Sequence, residues 1–244
     1  MRRTTLIAIL AALAALAAPA AAQAINVYAA TSLTNVLPAL DKGPRYSFGG
    51  SNTLQLQIER GAPADVFASA SPNEAQGLFR EGLCTRPVTF AINRLVLLVP
   101  NANPGNVTSV YSLRSGGRRL SIGTAGVPIG AYTRQLLRRM RLSSILSSNR
   151  VSQQTNVGQV ASQVALGSAD GGFVYYTDGL SVRDRTKMIS LPKWAQPPVR
   201  YQICTIKRAG VDTAGAAAFI KKVTGNAGRS TLKHYGFGIP PRKR

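Results

Sequence analysis

A repeating cycle of short apolar run, turn and amphipathic helix constrains this chain more than any other feature. Ile25 to Ala30 reads as a buried first strand, and Thr31-Ser32-Leu33 starts a short helix with hydroxyls in the capping position. Tyr46-Ser47-Phe48 reads as a second strand. It runs through Gly49-Gly50-Ser51-Asn52-Thr53 into a helix carrying Leu54 and Ile58, which Gly61 stops. Asp65 to Ala68 is a third strand, followed by a helix from Pro72 to Glu81. Leu95 to Val99 is a continuous apolar strand closed by Pro100, and the Asn-, Pro- and Gly-rich stretch after it is loop. Leu120 to Gly123 is a strand leading to a helix from about Gly130 to Arg141, with Tyr132, Leu136, Leu137 and Met140 on one face. Asn156 caps a helix carrying Val157, Val160, Ala161 and Val164. Gly172 to Tyr175 and Val199 to Ile206 are strands, and helices over Asp212–Val223 and Ser230–Tyr235 close the chain.

Strands alternating with helices predict an α/β fold of parallel sheets with helices on both faces. No internal repeat, low-complexity segment or linker divides the chain into tandem domains.

The N-terminus predicts export. Arg2 and Arg3 precede an apolar run from Leu6 to Ala18, about a dozen residues, which suits a signal peptide and is short for a membrane span. Ala22-Gln23-Ala24 carries small residues where a signal peptidase reads them, so the signal is placed at residues 1–24 with a mature start at Ile25. An uncleaved membrane anchor is the alternative. No Cys stands near the cleavage point to carry a lipid. In an oxidising compartment Cys84 and Cys204 are either a disulfide or two buried thiols.

The formal net charge is +21. Three explanations compete: a field that attracts an anionic ligand, a surface for nucleic acid or acidic lipid, and basic residues scattered over solvated faces. The basic residues are dispersed, with short clusters at Arg138-Arg139-Met140-Arg141 and Arg242-Lys243-Arg244, and neither cluster interleaves aromatics as a nucleic-acid groove does. No specific nucleic-acid partner is therefore expected. Catalysis is also disfavoured. One His, two distant Cys and nine acidic residues assemble neither a catalytic triad nor a metal-ligand spacing, so the chain is read as a non-enzyme without a cofactor.

The turns point to an anion. In open parallel sheets, ligands sit beyond the carboxyl ends of the strands, and helix N-termini there offer unpaired N–H groups and partial positive charge. Ser32 follows the first strand and Ser51 the second. Pro128-Ile129-Gly130 opens a helix after the strand at Ile122, Asn156-Val157 opens another, and Tyr175 ends a strand. Each feature alone is ordinary: a cap, a core residue, a packed tyrosine. Together they form a candidate site.

Several segments resemble the periplasmic molybdate-binding proteins of ABC transporters. They are Tyr28-Ala29-Ala30-Thr31-Ser32-Leu33, Phe48-Gly49-Gly50-Ser51-Asn52-Thr53, Gly61-Ala62-Pro63-Ala64-Asp65-Val66-Phe67, Asn93-Arg94-Leu95-Val96-Leu97, Val127-Pro128-Ile129-Gly130-Ala131-Tyr132, Phe173-Val174-Tyr175 and Tyr235-Gly236-Phe237-Gly238. The resemblance implies a type II periplasmic-binding-protein fold, two lobes each with a mainly parallel sheet flanked by helices and the ligand in the cleft. Lobe one would comprise residues 25–92 plus 205–244 and lobe two residues 93–204, with hinges near Asn93 and Ile203. By the same resemblance, an oxyanion, molybdate or tungstate, would be held by the hydroxyls of Ser32 and Ser51, by the backbone N–H groups of those serines, Ile129 and Val157, and by Tyr175. These residues would bind metal only in the sense of holding a molybdenum oxyanion. A monomer delivering its ligand to a membrane permease is implied. Sulfate or another anion, or a cationic nucleic-acid- or lipid-binding role, are the alternatives. Thr124, Ile129 and Thr155 depart from the family pattern, where Asp, Ala and an acidic residue are usual, and the segment between Ser32 and Phe48 is short.

Overall fold

A computed structural model describes residues 24–241. The signal-peptide reading at Arg2, Arg3 and Leu6–Ala18 lies outside the described residues, as does the basic cluster at 242–244. The chain starts in one lobe with β1 (Asn26–Ala30), α1 (Val36–Leu40), β2 (Arg45–Gly49), α2 (Ser51–Glu59), β3 (Val66–Ser69), α3 (Pro72–Arg80) and β4 (Val88–Asn93). It crosses into a second lobe of β5 (Leu95–Pro100), β6 (Arg119–Gly123), α4 (Pro128–Arg139), α5 (Ile145–Ser148), β7 (Arg150–Gln154), α6 (Val157–Ala165), β8 (Gly171–Tyr175), α7 (Tyr176–Ser181) and β9 (Thr186–Ser190). It returns to the first with β10 (Val199–Thr205), α8 (Thr213–Thr224) and α9 (Asn226–His234).

Each lobe is built on a five-stranded sheet, ordered β2-β1-β3-β10-β4 and β7-β6-β8-β5-β9. The expected two-lobed α/β architecture is present, but the sheets are mixed rather than mainly parallel. β1 runs parallel to β2 and β3, and β6 parallel to β7 and β8, whereas β10 is antiparallel to β3 and β4, and β5 to β8 and β9. The antiparallel pairs form where the chain leaves one sheet and enters the other, because a crossing strand arrives against the direction of its neighbours.

The strand pairing also moves the second lobe boundary. Residues up to Cys204 were assigned to lobe two with a hinge near Ile203, yet Ile203 pairs with Ala68 on β3 and Val88 on β4, inside the first sheet. The return crossing therefore precedes Val199. Asn93, where the outward crossing begins, is the partner of Val199, so the two crossings stand opposite each other at one edge of the sheet.

The helices follow local rules. Ser71 caps α3 by accepting from the Asn73 N–H, with Pro72 at the first helical position, where a missing N–H costs nothing. Asn156 accepts from the Gln159 N–H and opens α6. The central strands β5 and β8 are buried along their whole length, so they read as unbroken apolar runs. One core cluster spans both lobes, and a smaller one around Phe67, Leu78, Cys84 and Cys204 fills the space beneath α2 and α3. Cys84 and Cys204 are buried free thiols. No helix among the described residues is long and apolar enough to cross a membrane.

Candidate functional site

The turn residues singled out in the sequence converge. Ser32, Ser51, Ile129, Val157 and Tyr175 all line one cavity of about 20 Å³ between the lobes, together with Thr31, Gly50, Val127 and Asn156. Lobe one contributes the turn after β1 and the start of α2; lobe two contributes the starts of α4 and α6 and the end of β8.

Three helix N-termini face this space. Neither α2 nor α4 has a side-chain cap, and in α6 the Asn156 side chain satisfies the Gln159 N–H alone. First-turn N–H groups lack intrahelical partners and carry the positive end of the helix dipole. In α2 the N-cap is Gly50, which has no side chain to cap with, and Ser51 is the first helical residue. The Ser51 hydroxyl oxygen accepts from the Ala70 N–H at 3.0 Å, which leaves the hydroxyl proton to point elsewhere.

Tyr175 carries the strongest local signal. It is 1% exposed, and its hydroxyl has no hydrogen-bond partner. A buried hydroxyl left unpaired costs free energy, so an orphan beside a cavity marks a place for an acceptor. Burial, reinforced by Tyr201, Tyr132, Asp178 and Glu74, raises its pKa well above the ordinary tyrosine value, which keeps it a donor. No charged side chain lines the cavity. The donor set is neutral, and no carboxylate is present to accept a proton. A set of neutral donors without a carboxylate suits a fully ionised anion better than a protonated one. No group of three or more His, Cys, Asp or Glu side chains that could hold a metal ion directly exists among the described residues.

The sequence profile of the bacterial extracellular solute-binding proteins matches residues 11–238. The chain belongs to that family. Molybdate-binding protein ModA of Mycobacterium tuberculosis is 32% identical over 229 residues, covering 90% of this chain and 86% of its own. ModA of Haemophilus influenzae is 30% identical over 232 residues, covering 87% and 89%. The solved periplasmic molybdate-binding protein of Azotobacter vinelandii superposes with a TM-score of 0.79 at 27% identity, covering 89% of this chain and all of that one.

Two of the departures from the family pattern have structural accounts in this solute-binding protein. Ile129 lines the cavity but turns one methyl away from it. Its side chain is buried against Gly123, where a Cβ would lie 2.7 Å from Ile129 Cγ2, so a glycine makes room for the larger residue. Thr155 directs its hydroxyl and its N–H to the Gln159 side chain and presents its carbonyl to Gly50 across the cleft. The backbone N–H of Thr124 is tied to the Gln154 carbonyl; nothing else in the structure explains the residue there.

Behind the cavity stands a group that sequence reasoning missed. Tyr201, wholly buried on β10, has its hydroxyl 2.8 Å from that of Ser32 and within 3.4 Å of the Asn93 side-chain amide, which also donates to Thr177 Oγ1 at 3.0 Å. A register shift between Tyr201 and Gln202 interrupts the ladder, and such bulges re-aim side chains. The rings of Tyr132, Tyr175, Tyr201 and Phe237 meet edge to face in series. A tyrosine in the middle of a strand reads as packing, so no sequence signal pointed to it.

Proposed function

We propose that this chain is an exported solute-binding protein that captures molybdate in the interlobe cavity, with tungstate as an equivalent ligand, and delivers it to the membrane permease of an ABC uptake transporter. The unpartnered Tyr175 hydroxyl beside an uncharged, donor-lined cavity carries this reading. The curated ModA relatives give it a ligand. The apolar run at Leu6–Ala18 supports export.

Ser32, Ser51 and Tyr175 would each donate a hydroxyl proton, and the N–H groups of Ser32, Ser51, Ile129 and Val157 would supply the rest. Hydrogen bonds to a charged group contribute roughly 1.5–3 kcal/mol each. About seven of them offset the desolvation of a dianion and leave roughly 8–12 kcal/mol, the micromolar-to-nanomolar range. A protonated oxyanion such as hydrogen phosphate would bring a donor into a site without a carboxylate to accept it and is disfavoured. Calorimetric titration with molybdate, tungstate, sulfate and phosphate tests the reading. Tight binding of the first two is expected, and millimolar or weaker binding of all four would overturn it.

A further inference from the structure

The two lobes touch on either side of the cavity at glycines. A Cβ on Gly50 of lobe one would lie 2.4 Å from the Thr155 carbonyl oxygen of lobe two. A Cβ on Gly158 of lobe two would lie 2.6 Å from Thr31 Cγ2 of lobe one. Neither glycine is needed for its backbone angles. Gly50 has φ −64, and Gly158 sits in the first turn of α6 without a positive φ. What both positions require is the absence of a side chain. Each also adjoins a residue of the cavity: Gly50 precedes Ser51, and Gly158 follows Val157.

We propose that Gly50 and Gly158 are positioning residues that set how far the lobes close, and so bring Ser51 and Val157 onto one small anion. The proposal rests on the oxyanion reading of the cavity and names what confines that cavity to a compact ligand. A methyl group at either position wedges the cleft. The wedge at Gly50 meets backbone and has no easy relief. The wedge at Gly158 meets one methyl of Thr31, and replacing that threonine by serine removes the obstacle while keeping the hydroxyl.

The helical position of Gly158 makes the test sharp. Alanine is a better helix former than glycine, so Gly158→Ala is expected to leave the melting temperature of the ligand-free protein unchanged or higher. Its affinity for the tightest-binding oxyanion of the panel is expected to fall by about tenfold or more, the factor set by overpacking. Adding Thr31→Ser is expected to restore affinity to within about threefold, because residues in contact do not act additively. Undiminished binding by Gly158→Ala, or no recovery with Thr31→Ser, would overturn the proposal.

A second arm needs no anion. The Gly158 Cβ position lies 3.9 Å from Thr31 Cβ, within the roughly 3.5–4.5 Å of a disulfide. The Thr31→Cys, Gly158→Cys protein treated with oxidised glutathione is expected to lose two thiols to an interlobe disulfide, releasing two equivalents of reduced glutathione. Cross-linking in a protein whose unmodified form binds no oxyanion would sink the ligand reading and support the lobe contact. Anion binding without cross-linking would sink the glycine proposal alone.

Discussion

The Ser32 hydroxyl lies 2.8 Å from the Tyr201 hydroxyl, and that pair decides what Ser32 can offer a ligand. Tyr201 accepts from the Asn93 amide and either hydroxyl can donate to the other; when Tyr201 donates to Ser32 Oγ, the Ser32 proton is left for an anion. Tyr201→Phe is expected to weaken oxyanion binding by about fivefold or more, and Ser32→Ala by at least as much. The double variant should lose little beyond the worse single one, since both act through one proton. Calorimetry on the three variants measures the coupling; fully additive losses would separate Tyr201 from Ser32.

Ser51 and Tyr175 should behave alike in binding and oppositely in stability. Ser51→Ala removes the acceptor of the buried Ala70 N–H and is expected to cost about 1–3 kcal/mol of folding free energy. Tyr175→Phe removes a hydroxyl that has no partner in the ligand-free protein, so stability should hold or rise. Both should weaken oxyanion binding by about tenfold. Paired thermal melts and titrations read the two effects separately. A destabilised Tyr175→Phe protein would show that the hydroxyl has a partner.

Asp178 introduces a pH dependence. It is buried beside Tyr175 and Tyr201, its Oδ2 has no partner, and desolvation raises its pKa to about 8. The folded protein therefore holds a proton that the unfolded chain releases near 3.8. The stability this gives is complete below that value and is lost as the pH climbs through about 8. Asp178→Asn should leave the melting temperature unchanged at pH 4 and raise it by about 5 °C or more at pH 9. Parallel melts across pH test this, and coincident curves would mean that the carboxyl is already paired. Ionised Asp178 would also repel a bound anion, so wild-type affinity should fall above pH 8 and that of the Asn variant should not.

Cys84 and Cys204 should be silent towards thiol reagents in the folded state. Both are fully buried, and the Cys204 thiol, hydrogen-bonded to Cys84 and desolvated, is pushed far above its ordinary pKa. A thiolate is the reactive species. The purified, non-reduced protein should show essentially no reaction with an aromatic disulfide reagent until guanidinium is added, and then release two equivalents.

The strands that escaped the sequence reading share a location. β4, β7 and β9 are edge strands of their sheets, with exposed residues such as Val88, Ser152 and Lys187, and they lack the continuous apolar run that marks β5 and β8. β2 is an edge strand too, but Tyr46 and Phe48, stacked on each other, made it visible. The cavity residues were readable because a strand end followed by a helix start is a local pattern. Tyr201 was not, because its role depends on a strand bulge and on a serine 169 positions away. The glycines at 50 and 158 were invisible for a related reason. A close approach between lobes leaves no periodicity in either segment.

The pairing of Asn93 with Val199 limits how this molecule can move. Both connections between the lobes leave the first sheet from facing positions on hydrogen-bonded neighbours, β4 and β10. Two struts rooted side by side permit a swing and resist a twist. On the proposed function, opening and closing would reduce to a single angular coordinate. One spectroscopic distance, between a label on α3 and another on α5, would follow the whole trajectory of capture and release.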